Sequence, residues 1–230
     1  MNKTIQISFL KTPTAQIETL AQLKKYWQDV KPLINQRQEH FFNVWRKASN
    51  AEIFAELVFC LFTPQSRATT CWNAVCNLAS KNLIFTAEAQ AIAANIAGVR
   101  FANNKSRFVV LARDFFAKNG KMTIKNRLKA FEDIYQTRKF LIENIKGIGY
   151  KEAGHFLRNI GIGQNLAILD RHILKNLVKY GALTEIPKSL TPAVYENIER
   201  RMLKFSRQID IPMGDLDMLL WCKESGGIFK

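Results

Sequence analysis

The stretch "LIENIKGIGYKEAGHFLRNIG", residues 141–161, decides the fold. Apolar residues recur at helical spacing on both sides of Gly147-Ile148-Gly149, so the segment reads as helix, tight turn, helix. Two glycines permit a hairpin too tight for side chains and let another backbone come close. The second helix should begin near Tyr150, and its first N–H groups have no partner within the helix. They point outward beside the hairpin, together with the positive end of the helix dipole, which makes a seat for phosphate. An ordinary helix–turn–helix corner with no ligand would leave the same residues.

Lys151 falls in the first turn of that second helix. The dipole disfavours an ammonium there by about 0.3–1 kcal/mol, and partial burial adds desolvation; both effects lower a lysine pKa. A neutral amine is a nucleophile, whereas an ammonium is not. The alternative is a lysine that only contacts a phosphate. Asp170 bears on the choice. It lies nineteen residues further on in "LAILDRHIL", follows an apolar run and should cap the next helix. Gly161 and Gly163 let the chain turn back between the two helices, so that their N-termini can face one cleft with a carboxylate opposite an amine. Such a pair suits glycosidic chemistry: the carboxylate stabilises positive charge developing on the sugar while the amine attacks the anomeric carbon.

Outward from this motif, helical periodicity recurs and strand signals are weak. Helices are predicted over 15–29, 32–47, 51–62, 64–79, 87–96, 103–118, 134–143, 151–160, 170–179, 192–207 and 212–222. Thr63-Pro64 reads as an N-cap with proline at the first helical position, and Asn119-Gly120 as a left-handed C-terminal cap. The expectation is an all-α protein, residues 1–230, of two interlocked helical subdomains flanking an active-site cleft, with the helix-hairpin-helix at 141–161.

The formal net charge is +15, from 34 Lys and Arg against 19 Asp and Glu, which favours a polyanion partner. No apolar run reaches the roughly 20 residues of a membrane span, and "MNKTIQISFLKTP" lacks the apolar core of a signal peptide. A cytoplasmic location follows, or a nuclear one in a eukaryote. Cys60, Cys71, Cys76 and Cys222 show neither zinc nor disulfide spacing, so no metal and no cofactor is expected.

The hairpin, Lys151 and Asp170 resemble the helix-hairpin-helix glycosylase superfamily of DNA repair. Within it, "IKGIGYKEAGHFLRNIG" and "LAILDRHIL" are similar to the archaeal-type, or second-family, 8-oxoguanine DNA glycosylase/AP lyases. The similarity extends to "AELVFCLFTPQSRATTCWNAV" (55–75), "GVRFANNKSRFV" (98–109) and "DMLLWCKESGGIFK" (217–230). The wider superfamily approaches its aspartate through a Gly/Pro-rich segment; here that segment is "NLAIL", as in the archaeal-type branch. The resemblance implies a bifunctional enzyme acting as a monomer on duplex DNA containing 8-oxoguanine. The base is flipped out, Lys151 attacks C1′ to form a Schiff base, β-elimination nicks the strand, and Asp170 assists electrostatically. Two other readings stay open: a glycosylase for a different damaged base, and a non-catalytic helix-hairpin-helix binder. The four-cysteine iron–sulfur cluster that often accompanies glycosylases for other lesions cannot form, because only Cys222 lies in the last hundred residues.

Around the catalytic pair, His155 lies one turn beyond Lys151 on the same face and either lines the base pocket or packs between helices. Asp217 and Trp221 share a face of the last helix, where Trp221 either stacks on a flipped base or belongs to the core. By resemblance, Lys230 completes that pocket. Gln65 in "FTPQSR" reads as an outward-facing helix start, where the superfamily often places a Gln or Asn that fills the gap left by the extruded base; a plain solvent-exposed helix start is the alternative. Gly147 and Gly149 of the hairpin, with Arg67, Lys105, Arg107, Arg171 and His172 beside the motifs, are the candidate DNA contacts.

Overall fold

The computed structural model describes residues 7–13 and 15–230, so the reading of residues 1–6 as leaderless lies outside it. Twelve helices and four two-residue strands are present among the described residues. In chain order they are β1 (Leu10–Lys11), α1 (Leu20–Lys47), α2 (Asn50–Phe62), α3 (Ala68–Ser80), α4 (Leu83–Thr86), α5 (Ala89–Ala94), α6 (Ala102–Phe116), β2 (Ala117–Lys118), β3 (Lys121–Met122), α7 (Ile124–Leu128), α8 (Ile134–Asn144), α9 (Tyr150–Asn159), α10 (Arg171–Lys179), α11 (Pro192–Gln208), α12 (Met213–Ser225) and β4 (Gly227–Ile228). The protein is all-α, as its periodicity predicts. It forms two compact units, Phe41–Gly163 and Ile7–His40 with Gln164–Lys230, the division falling inside α1. Among the described residues no helix is long and apolar enough to cross a membrane.

In the unit Phe41–Gly163, α2 is the central rod. Every residue from Glu52 to Phe62 is buried, which is how a helix that is apolar on all sides must sit. It starts at a capping box: the Ser49 hydroxyl accepts from the Glu52 N–H (3.3 Å), while the Glu52 carboxylate accepts from the Ser49 N–H (2.9 Å). Helices α3, α6, α7 and α9 pack around it. On α9, Ala153, Phe156, Leu157 and Ile160 are fully buried at the i, i+3, i+4, i+7 spacing of one helix face, which lays α9 along α2.

The unit Ile7–His40 with Gln164–Lys230 has its core in α1, α10, α11 and α12, where Leu23, Val30, Ile34, Leu177, Met202, Leu216, Leu219 and Leu220 are fully buried. Asp215 ties α12 to α1, accepting from Trp27 Nε1 (2.9 Å) and from Gln38 Nε2 (2.8 Å). Strands β1 and β4 pair antiparallel, Leu10 opposite Ile228, and fasten the C-terminal residues to the N-terminal segment.

Three predicted boundaries are corrected. The helices expected at 15–29 and 32–47 are one, α1. It starts late because Thr19 and Gln22 form a reciprocal cap, Gln22 N–H to Thr19 Oγ1 (3.2 Å) and Thr19 N–H to Gln22 Oε1 (3.0 Å). It continues through Pro32, which removes one backbone bond, because the buried Trp27, Val30 and Ile34 hold the turns on either side. Thr63 closes α2 instead of opening α3, which begins at Ala68. Asn119 (φ 50°) and Gly120 (φ 73°) do not cap α6. They form the two-residue turn of a hairpin between β2 and β3, the other structure that left-handed Asn-Gly favours.

Helix α9 ends in a Schellman motif: Ile162 N–H donates to the Leu157 carbonyl (3.0 Å) and Gly161 N–H to the Arg158 carbonyl (2.8 Å). Gly161 has φ +81°, and a Cβ there would meet the Phe41 carbonyl oxygen at 2.4 Å. Gly120 has a similar φ but open space around it. Gly161→Ala should therefore cost roughly 2–4 kcal/mol in chemical denaturation, against about 1 kcal/mol for Gly120→Ala. Equal losses would contradict the packing account.

Candidate active site and nucleic-acid interface

The hairpin joins α8 to α9. Ile148 N–H donates to the Ile145 carbonyl (3.2 Å), closing a turn whose third residue, Gly147, has φ +90° as a type II turn requires. Phe108 of α6 fills the space a side chain at Gly147 would need, since a Cβ there would lie 2.4 Å from its ring. Buried Ile145 and Ile148 anchor the turn, while Lys146 and Gly147 stay exposed. The guanidinium of Arg138 on α8 lies over the ring of Tyr150, 4.8 Å from its centroid, and so fixes the start of α9 against α8.

Gly149 is the N-cap of α9 and has no side chain with which to accept from the first-turn N–H groups. Lys151 is the second residue of this helix. Its side chain is 32% exposed, and its ammonium lies 3.8 Å from Glu152 Oε1. Glu152 carried no signal in the sequence beyond following Lys151. His155, one turn on, is buried edge-to-face against Phe59 with ring centroids 5.5 Å apart, the packed arrangement that its position also allowed.

In the second unit Asp170 is the N-cap of α10, as predicted. His172 N–H and Ile173 N–H both donate to the same carboxylate oxygen, Oδ1, at 2.8 Å each. The cap thus fixes the side chain while Oδ2 stays outside it. Arg171 is exposed and its Nε donates to His172 Nε2 (3.3 Å). His172 meets Trp221 of α12 edge-on at 5.6 Å between ring centroids, so a predicted DNA contact and a predicted base-stacking residue sit together. A polar network missed by sequence reasoning surrounds them: Asn176 Nδ2 donates to Glu224 Oε1 (3.1 Å), and Lys223 Nζ to Asn176 Oδ1 (3.0 Å). Burial pulls the Glu224 carboxyl up, but hydrogen bonds from Asn176 and Lys223 outweigh it and hold the pKa below the usual range. The i, i+4 spacing of His172 and Asn176 was the available signal. Trp221 is partly exposed, whereas Asp217 and Lys230 are buried.

Gln65 and Arg67 are exposed in the turn between α2 and α3, and Arg107 is exposed on α6. Gln65 is not at a helix start; it sits at the tip of the turn with φ 56°, a left-handed backbone that costs a non-glycine residue about 1–2 kcal/mol. Lys105 requires a correction. It is only 4% exposed, and its ammonium donates to the carbonyls of Phe62 (2.6 Å) and Pro64 (2.7 Å), so it faces the protein interior and not a phosphate. Among the described residues no group of His, Cys, Asp and Glu has the arrangement of a metal site.

An all-α chain with a glycine hairpin, a lysine in the following helix and a capping aspartate on the next is of the helix-hairpin-helix DNA glycosylase type. A model of the Ogg-HhH family, 8-oxoguanine DNA glycosylase, matches residues 34–211. The 8-oxoguanine DNA glycosylase/AP lyase of Fusobacterium nucleatum is 41% identical over 213 residues, which is 93% of this chain and 98% of the relative. That of Korarchaeum cryptofilum is 39% identical over 203 residues, 87% of this chain and 92% of the relative. The crystal structure of the Thermotoga maritima 8-oxoguanine DNA glycosylase superposes with a TM-score of 0.81 at 31% identity, covering 92% of this chain and 98% of that one. The Methanocaldococcus jannaschii glycosylase/lyase, solved with a 15mer DNA containing 8-oxoguanine, gives 0.80 at 31% identity over 92% and 99% of the two chains. This chain belongs to the 8-oxoguanine DNA glycosylase family.

The two bonds to Asp170 Oδ1 separate capping from chemistry. Asp170→Asn keeps an oxygen to accept from the two N–H groups and should change unfolding free energy by under about 0.5 kcal/mol, whereas Asp170→Ala loses about 1 kcal/mol. The electrostatic role expected of Asp170 from the sequence further requires both variants to slow base release by at least about 100-fold in single turnover, since neither carries a charge. An Asp170→Asn enzyme of normal rate would reduce the residue to a cap.

Proposed function

We propose that this chain excises 8-oxoguanine from duplex DNA and then nicks the strand at the abasic site, with Lys151 as nucleophile and Asp170 as its electrostatic partner. The observation that carries the reading is the setting of Lys151. It stands in the first turn of a helix whose N-cap is a glycine, partly exposed, in a chain of this family. The reaction begins with the lesion turned out of the stack, where its glycosidic bond can be reached. The neutral amine of Lys151 attacks C1′ and the C1′–N9 bond breaks, its electrons leaving with the base, which takes up a proton. The ring-opened sugar forms a Schiff base with Lys151. Loss of a C2′ proton then expels the 3′ phosphate by β-elimination, and water releases the lysine. The carboxylate of Asp170 stabilises the positive charge that builds on the sugar before the base departs.

The uncapped N-terminus of α9 and the exposed Lys146–Gly147 turn supply backbone donors for a phosphate of the damaged strand. Arg67, Arg107 and Arg171, all exposed, add cations along the backbone. Trp221, partly exposed beside His172, offers a face for the extruded base, and Asp217 and Lys230, both buried in the same unit, are the candidates for reading its edge. His155, one turn beyond Lys151 on α9, is packed against Phe59 and so serves this site through the packing of α9. Gln65, at the tip of its turn, fills the vacated place in the duplex. The enzyme acts as a monomer, one pocket for one lesion, in the cytoplasm or, in a eukaryote, the nucleus.

Oligonucleotide duplexes carrying one 8-oxoguanine, one guanine or one thymine glycol test the substrate. The 8-oxoguanine strand alone should be cut at the lesion, and Lys151→Gln should lower that cutting at least about 1,000-fold. Equal cutting of the thymine glycol duplex would reassign the substrate, and a wild-type rate for Lys151→Gln would remove the lysine from the mechanism.

A further inference from the structure

Lys105 is a cation the chemistry does not use. It lies on α6 beneath the turn that joins α2 to α3, and all three of its N–H donors meet acceptors on that turn. They are the Phe62 carbonyl (2.6 Å), the Pro64 carbonyl (2.7 Å) and Ser66 Oγ (3.2 Å). Phe62 is the last residue of α2, where the negative end of the dipole favours a cation. Ser66 Oγ also accepts from the Arg100 N–H (3.0 Å), and Ser66 N–H donates to the Thr63 carbonyl (3.0 Å). The turn is thus held from one side by a buried ammonium, and at its tip the exposed Gln65 keeps a left-handed φ of 56°. Burial, foremost among several influences, lowers the pKa of Lys105 from the ordinary lysine value. A charge kept inside at that cost has work to do there, and the work on view is the shape of this turn.

We propose that Lys105 is a positioning residue for base extrusion: it fixes the 63–67 turn so that Gln65 enters the duplex at the height of the vacated base. This rests on the reading of Gln65 as the group that fills that gap. Without the ammonium, the carbonyls of Phe62 and Pro64 and the Ser66 hydroxyl each lose one bond, Ser66 Oγ keeping that from the Arg100 N–H, and the turn relaxes towards an ordinary backbone, drawing Gln65 back. The flipped state then loses its filler, and only substrates with an opposite strand to hold apart are affected.

The test compares wild type, Gln65→Ala, Lys105→Met and the double variant in single-turnover excision of 8-oxoguanine. Each acts on a duplex and on the same strand unpaired, with 2-aminopurine opposite the lesion as a fluorescent report of unstacking. Each single variant should lower the duplex-to-single-strand ratio about tenfold and reduce the fluorescence rise, and the double variant should be no worse than either. A normal ratio for Lys105→Met beside a lowered one for Gln65→Ala overturns the role of Lys105 and leaves that of Gln65 standing. A normal ratio for Gln65→Ala overturns the gap-filling reading itself. Equal loss on both substrates for Lys105→Met marks a purely structural lysine and also overturns the proposal. Should Lys105→Met fail to fold, Ser66→Ala, which removes one of the three acceptors, takes its place. A ratio lowered about threefold then supports the proposal, and an unchanged ratio overturns it.

Discussion

The first turn of every helix leaves backbone N–H groups that something must satisfy, and this protein answers that demand in two opposite ways at the starts of α9 and α10, the two helices to which the proposed chemistry is assigned. At α10 the aspartate before the helix accepts two of them on one oxygen. At α9 the residue before the helix is a glycine, which can accept none. The first arrangement fixes a carboxylate in one rotamer without adding any further residue. The second leaves a group of donors and a partial positive charge beside an exposed glycine turn, a setting for an anion, with a lysine in the same turn. Glycine at the hairpin is enforced twice over, by the positive φ of Gly147 and by the Phe108 ring lying against it.

The basic surplus of the chain has a division of labour that a net charge cannot express. Arg67, Arg107 and Arg171 are exposed, while Lys105 is buried on backbone carbonyls and Arg138 lies over Tyr150. The buried cations hold a turn and a helix start in place, and the exposed ones are the cations proposed to meet DNA. The two groups differ in what their loss should do. Removing a surface cation weakens binding and lessens its salt dependence, whereas removing a buried one distorts a turn or a helix start.

Much of this was legible in the sequence because it depends on local rules. The hairpin follows from Gly-x-Gly between periodic segments, and the cap at Asp170 from an acidic residue between an apolar run and a helix. The errors arose where one local signal serves two structures. Asn119-Gly120 suits a helix cap and a hairpin turn equally, and the pairing of Ala117 with Met122 decides between them. Pro32 signals a break, but the burial of Trp27, Val30 and Ile34 on neighbouring turns keeps the helix continuous. Lys105 reads as one more surface lysine because nothing local reports that its acceptors arrive from a turn some forty residues earlier. The network of Asn176, Lys223 and Glu224 left only the i, i+4 spacing of His172 and Asn176 as a local trace, because Lys223 and Glu224 come from a helix far along the chain.

The central claim is that one amine, that of Lys151, becomes bonded to the sugar. Reduction with borohydride during turnover on an 8-oxoguanine duplex, followed by proteolysis and mass spectrometry, shows which residue carries the deoxyribose. The account predicts the adduct on Lys151; an adduct on Lys146 or on any other amine would contradict it.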